Sequence, residues 1–204
     1  MTTKTARKPS KSAHKPVERQ LHRETSTPAV QKLREQARRN LTDGAMTSNY
    51  GGDVTTAIKL LNDALATELT CVLRYRFHYV AAEGIDSEAI KAEFLQHALE
   101  EQAHADRLAD RINQLGGKPE LDPATFAARS ATEYREGDDL VDMIKEDLVA
   151  ERIAVQHYRD LVRHFGEKDP TTRRMLEDIL AQEEEHANDM HDLLVAREGR
   201  RTLR

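Results

Sequence analysis

Cysteine is almost absent from this chain of 204 residues: Cys71 stands alone. One thiol excludes an intrachain disulfide, a cysteine-rich zinc site and a four-thiolate iron centre, so any metal must be held mainly by oxygen and nitrogen. Long apolar runs are missing too. No segment reaches the roughly 18 to 20 uninterrupted apolar residues that a membrane-spanning helix requires, and the opening MTTKTARKPSKSAHKPVERQ has no apolar leader segment. The expectation is a soluble, cytoplasmic protein without a membrane partner. A strand pattern is nowhere evident, which points to an all-α fold.

What is there begins with an uneven distribution of charge. The net charge is -5, yet residues 1–50 hold 11 Lys/Arg against 4 acids, or +7, and the remainder carries -12. A basic arm is tethered to an acidic body. Residues 1–26, rich in Lys, Ser, Thr and Pro, cannot bury enough surface to offset the entropy of ordering. Thr27-Pro28 then opens a short polar helix over 28–41, with proline at its first position. The organisation expected is an arm over 1–50, a helical domain over 51–198 and a short basic tail over 199–204.

From Asp53 onward the period is helical, with four long segments punctuated by cap residues. The first runs from about Val54 to Glu83, capped by Asp53 and stopped by Gly84; the second starts at Asp86 and ends at Gly116-Gly117. Asp138 opens the third, which stops near Gly166. Asp169-Pro170 opens the fourth, which extends to about Arg197 before Gly199. Short loops after the first and third helices make each pair an antiparallel hairpin. Between the pairs lies a long connection from Gly116 to Gly137, in which Asp122-Pro123 starts a short helix. The fold class is therefore an all-α four-helix bundle with one long crossover between its second and third helices, a ferritin-like topology.

Each apolar stripe of this bundle is interrupted by acid at its middle. Glu68 falls between Leu65 and Val72, Glu101 and His104 between Ala98 and Leu108, Glu151 between Leu148 and Val155, and Glu183 and His186 between Leu180 and Met190. Burying one unpaired carboxylate costs several kcal/mol, and four that face one another repel as well. Something positive must sit between them. Residues at i and i+3 share a helix face, so Glu101-x-x-His104 and Glu183-x-x-His186 each direct one oxygen and one nitrogen at the same point. One glutamate from each of two helices, with Glu-x-x-His from the other two, is the donor set of a di-iron or di-manganese carboxylate site. The pattern is an internal repeat: Glu68 precedes Glu101 by 33 residues and Glu151 precedes Glu183 by 32, while Tyr75 and Tyr158 each follow a lone glutamate by seven. Such ligands suit Fe(II), Mn(II) or Zn(II). Two bridged ions about 3.5 to 4 Å apart would surrender electrons together to one oxidant, O2 or H2O2.

The segments ELTCVLRY, EEQAH, DLVAERIA and LEDILAQEEEH, in that order on four helices, resemble the corresponding motifs of bacterioferritin and of bacterioferritin-like Dps proteins over about residues 53–197. The resemblance implies a ferroxidase that stores or detoxifies iron. Two irons per subunit would be ligated by Glu68, Glu101, His104, Glu151, Glu183 and His186, with Glu101 and Glu183 bridging, Glu68 and Glu151 terminal, and Tyr75 beside the pair. Three departures qualify it. Bacterioferritin has a haem-ligating methionine immediately after the second-helix glutamate, where this chain has Gln102, so haem is not expected. The chain ends a few residues past the fourth helix, short of the fifth helix of 24-subunit shells, which favours a homo-oligomer of 12 subunits over one of 24. Ordinary Dps proteins share the site across a dimer interface, whereas here all six ligands come from one bundle.

Other readings stay open on the sequence. A di-manganese catalase or a di-iron peroxidase would use the same bundle, and a nucleoid-binding protein would use the metal for structure only. The basic arm suits non-specific DNA binding through phosphates, without aromatics for base stacking, and equally suits a solubilising or docking role. His97, one heptad before His104, is either a hydrogen-bonded core histidine or part of a peripheral metal site. Glu100, Glu184 and Glu185 read most simply as solvated charges, and Cys71 as a small packing residue.

Overall fold

A computed structural model describes residues 27–39, 41, 44, 46–47, 50–84 and 87–202, with side chains to 197. It divides into two compact units, Met1–Asp43 and Gly44–Arg204. The first contributes one described helix, α1 (Pro28–Arg39), which buries none of its residues and ends on Arg38 and Arg39, where cations complement the helix dipole. The expectation for residues 1–26 lies outside the described residues. The unit boundary falls earlier than Tyr50 because Met46 and Tyr50 pack on the bundle, and the Tyr50 hydroxyl donates to Asp169 at 2.8 Å.

The second unit comprises four long helices and a short one: α2 (Val54–Ala81), α3 (Ser87–Gln114), a single 3-10 turn Pro123–Thr125 leading into α4 (Phe126–Arg129), α5 (Leu140–Phe165) and α6 (Pro170–Thr202). No strand occurs among the described residues, and no helix among them is long and apolar enough to cross a membrane. Local chemistry explains the boundaries. Asp53 caps α2 by accepting from Thr55 N at 3.0 Å, leaving fewer unsatisfied amides in the first turn. The third bundle helix is capped by Asp139 rather than by Asp138: the Asp139 side chain accepts from both Val141 N and Asp142 N. Helix α2 stops at Ala81, two residues before the expected Glu83. At the other end α6 runs through Gly199 to Thr202, so no separate tail begins there; one glycine costs a helix only about 1 kcal/mol. Asp86, expected to open α3, lies outside the described residues.

Cross-links between helices define the topology. Glu68 lies by His104, Arg74 by Asp147, Arg111 by Thr172 and Arg159 by Glu184. With Asn62 by Lys118 and Tyr158 by Glu68, these place α2 antiparallel to both α3 and α5, and α6 antiparallel to α5 and α3. Helices α3 and α5 therefore run the same way, and residues 115–139 must climb the whole bundle, about 40 Å at 1.5 Å per residue. That segment is pinned rather than draped. Asn62 receives Glu120 N at 2.8 Å and donates to Lys118 O, Thr67 Oγ1 receives Ala131 N, and the Arg74 guanidinium donates to Glu133 O. Gly116, at φ 79°, makes the first bend, and Gly117 lets the chain pass close to α2, since a Cβ there would sit 2.8 Å from Ile58 carbons.

The apolar core is in two parts. One gathers Leu61, Leu65, Leu108, Ile112, Leu161, Phe165, Leu176 and Ile179; the other gathers Tyr75, Ile90, Phe94, Ala98, Ile144, Leu148 and Met190. Between them lies a layer of buried acids and histidines. A second buried polar group ties α2 to α5: Asp147 accepts from Arg74 Nε at 2.9 Å and lies 2.8 Å from His78 Nδ1, with all three side chains at most 1% exposed. Removing one partner of such a group leaves a buried charge uncompensated. Asp147→Ala is expected to lower unfolding free energy by about 3 to 5 kcal/mol in chemical denaturation. Arg163→Ala, which breaks only the exposed pair with Asp160, is expected to change it by less than about 0.5 kcal/mol.

Candidate metal centre

The middle layer of the bundle is supplied by all four long helices. Glu68 comes from α2, Glu101 and His104 from α3, Glu151 from α5, and Glu183 and His186 from α6; none is more than 2% exposed. They fall into two groups of four whose donor atoms lie within 4.8 Å of one another: Glu68, Glu101, His104 and Glu183 in one, Glu101, Glu151, Glu183 and His186 in the other. Glu101 and Glu183 belong to both. This is the arrangement of two adjoining cation positions with two shared carboxylates.

Hydrogen bonding leaves the centre unsatisfied in the direction a cation would occupy. Glu101 Oε1, Glu151 Oε2, both oxygens of Glu183 and His186 Nδ1 are buried without a hydrogen-bond partner. Glu183 Oε1 does approach His104 Nδ1 to 2.9 Å, but not along a hydrogen-bonding direction. Buried polar atoms are nearly always paired, and a cluster of unpaired ones around one point is a set that a cation would satisfy.

The imidazoles are aimed by their outer nitrogens. His104 Nε2 lies 2.9 Å from Gln182 Oε1, and His186 Nε2 lies 2.8 Å from Glu100 Oε2. Each acceptor takes an Nε2–H, which leaves Nδ1 facing inward, where it would offer its lone pair to a metal once its own proton is displaced, and such outer partners commonly fix the tautomer of a metal-bound histidine. Glu100 and Gln182 each stand immediately before the glutamate of a Glu-x-x-His pair, so they are repeat-related and each serves the imidazole of the other half. In the sequence Glu100 reads as a solvated charge and nothing singles out Gln182; their shared position in the repeat is the signal that marks them.

The lone glutamates are held crosswise. Tyr75 donates a short hydrogen bond to Glu151 Oε1, and Tyr158 donates one to Glu68 Oε1. Each tyrosine thus grips the lone glutamate of the opposite half, leaving the second oxygen for the centre. The repeat in the sequence becomes an approximate twofold axis in space. Both tyrosines are fully buried, and burial, reinforced by the neighbouring glutamate charges, holds both phenols well above their ordinary range.

The electrostatics show how the centre tolerates itself. Burial and then the Glu101 charge push Glu68 up to about 8 and Glu151 up to about 7, and the same causes raise Glu183 well above the usual range. Burial also opposes ionisation of Glu101, but its close contacts with Glu68, His104 and His186 outweigh it and hold this carboxyl well below its ordinary value. For His186, burial disfavours the cation, yet Glu101, 3.5 Å from its Nδ1, raises it to about 9; His104 is raised further by Glu101, Glu183 and Glu68. Protons fill the role of the missing positive charge. A divalent ion that entered would displace them.

All six residues expected as ligands come together, and Tyr75 lies beside Glu151 as its donor. His97, at 0% exposure, stacks on His186 with ring centroids 4.1 Å apart and has Nδ1 3.1 Å from the Tyr75 hydroxyl. The Gln102 amide donates to Asp106 on its own helix. Cys71 is buried near Thr132 and Arg74.

Comparison with known proteins agrees with this geometry. The ferritin-like domain family matches residues 58–198. The chain is 32% identical to the DNA protection during starvation protein of Pyrococcus furiosus over 150 residues, 72% of this chain and 81% of that one. It is 28% identical to the bacterioferritin of Brucella melitensis over 132 residues, 63% and 76% of the two chains. Among solved structures, the dodecameric thioferritin of Bacteroides fragilis, a bacterioferritin-related protein, superimposes with a TM-score of 0.71 at 34% identity, covering 76% of this chain and 94% of that one. With its four-helix bundle, repeated Glu-x-x-His pairs and buried acidic centre, this chain belongs to the ferritin-like family that includes bacterioferritin and Dps proteins.

Proposed function

We propose that the chain is a ferroxidase that oxidises Fe(II) at an intra-subunit dinuclear site and stores the product inside a homo-oligomeric shell of 12 subunits. The observation that carries the reading is the pair of four-residue donor groups sharing Glu101 and Glu183, with unpartnered oxygens facing one point. Four carboxylates and two imidazoles give two Fe(II) ions mixed oxygen and nitrogen ligation and neutralise their combined charge. The substrate loses two electrons in total, one per ion. These reduce O2 to H2O2 with two protons, or H2O2 to two waters with two protons.

The chain's own contribution is positioning. Glu100 and Gln182 hold the imidazoles with Nδ1 inward, Tyr75 and Tyr158 hold the terminal carboxylates, and the two apolar clusters exclude bulk water from both ends. Exposed Leu73 and Val80 on α2 and Val149 and Ile153 on α5 offer apolar surface for subunit contacts, and the relative from Bacteroides fragilis is dodecameric. A second reading concerns the arm: its charge of +7 and the exposed Lys32, Arg34, Arg38 and Arg39 of α1 suit the phosphates of DNA.

Three outcomes are expected. Stopped-flow absorbance should show rapid aerobic or peroxide-driven Fe(II) oxidation by particles of about twelve chain masses in mass photometry; Glu183→Gln should slow it by about 10- to 100-fold or more while leaving the metal-free protein as stable or more so, because a repelling carboxylate is gone. A monomer, or an undiminished rate in the variant, would refute the reading. The metal-free protein should lose stability as pH rises: Glu68 and Glu151 have folded pKa values of about 8 and 7, above their unfolded values, so their contribution is complete below about pH 4.5 and is lost through pH 7 to 8, with His186 extending the loss to about 9. Calorimetry from pH 5 to 9 should therefore show a falling Tm without metal, and a rise on adding Zn(II) that is larger at high pH. Finally, deleting residues 1–43 should abolish salt-sensitive retardation of duplex DNA in a gel while sparing Fe(II) oxidation; unchanged retardation would eliminate the arm as the DNA contact.

A further inference from the structure

Among the buried nitrogens outside the six-residue centre that make no hydrogen bond, one faces two carboxylates. His97 Nε2 is fully buried and makes no hydrogen bond, yet it lies 3.4 Å from Glu93 Oε1 and 3.5 Å from Asp189 Oδ2. Glu93 is one turn before His97 on α3, and Asp189 faces them from α6, three residues beyond His186. The donor atoms of this trio lie within 4.8 Å of one another.

The proton inventory makes the arrangement informative. With Glu151 ionised, as the proposed dinuclear reading requires, the Tyr75 proton is committed to Glu151, so the Tyr75 oxygen can only accept from His97. His97 then carries its proton on Nδ1, 3.1 Å away, and turns the Nε2 lone pair toward two carboxylates. A lone pair facing two carboxylate oxygens is repulsive unless a cation lies between them. The two carboxylates reach solvent, with side chains 32% and 42% exposed, whereas the histidine belongs to the interior. The trio therefore spans the wall of the bundle.

We propose that Glu93, His97 and Asp189 form a separate divalent-cation site, one nitrogen and two carboxylates, that receives Fe(II) from solvent and passes it to the dinuclear centre. Passage is short: His97 stacks on His186, and one of its ring nitrogens comes within 4.8 Å of donor atoms of both Glu151 and His186. The donor set suits Fe(II), Co(II), Mn(II) or Zn(II) and is too sparse in oxygen for Ca(II) or Mg(II).

The test uses Co(II) as a redox-stable probe. Crystals of the intact protein soaked in Co(II) and measured at the cobalt absorption edge should show three anomalous peaks per chain, one between Glu93, His97 and Asp189. In the Glu93→Gln/Asp189→Asn protein that peak should vanish while the two central peaks persist, which also certifies the fold, and Fe(II) oxidation at limiting iron should slow several-fold. Wild-type crystals with central peaks only, or an outer peak that survives the double substitution, would overturn the proposal. An outer peak beside an empty centre would support the outer site as a binding site and refute the dinuclear reading and the transfer built on it.

Discussion

Four carboxylates from four helices meet in a space closed to water, and mutual repulsion together with lost hydration would drive them apart if nothing positive lay among them. Much else in the bundle answers this constraint. Protons shared among Glu68, Glu101, His104 and His186 supply positive charge in the absence of metal. Tyr75 and Tyr158 each hold one oxygen of a lone glutamate. The apolar core is divided into two clusters because its middle layer is given over to charge, and each cluster closes one end.

A site under such stress needs a rigid frame. The frame is fastened at several levels outside the centre: Arg74, Asp147 and His78 lock α2 to α5, while Arg111, Asp169, Thr172 and Tyr50 lock α3 to the start of α6. The crossover is drawn into the same network through Asn62, Thr67 and Arg129. These attachments hold the antiparallel α2 and α5 in register, which the crosswise tyrosine contacts require. The geometry of the centre and the stability of the fold are thus sustained by distinct sets of buried polar groups, one crowded with like charge and the other with opposite charges paired.

The twofold relation extends beyond the ligands. Glu68 and Glu151, Tyr75 and Tyr158, Glu100 and Gln182 occupy matching places, but the halves are not equivalent. Glu100 is charged and Gln182 is neutral, so the two imidazoles differ in basicity. His97 sits on the side of His186 alone, and with it the solvent-reaching carboxylates of Glu93 and Asp189. An approximately symmetric centre thus has one side whose buried histidine faces solvent-reaching carboxylates.

The chain's periodicity by itself determined the four long helices, the long crossover and the six residues that meet, because a glutamate three residues before a histidine within an apolar stripe is tolerated in a dry interior only beside a positive charge. It also determined the Tyr75 and Tyr158 repeat. Helix ends were less legible: Asp138 and Asp139 are equally good caps in sequence, and Gly199 is a weak stop that α6 passes through. Only the tertiary structure decided which nitrogen of each histidine faces inward, that Glu100 and Gln182 aim the imidazoles of the opposite half, and that Asp189 joins Glu93 and His97 across two helices. The physical reason is that periodicity reports which face of a helix a residue occupies, whereas hydrogen-bond direction and contacts between helices far apart in sequence depend on how those faces are brought together.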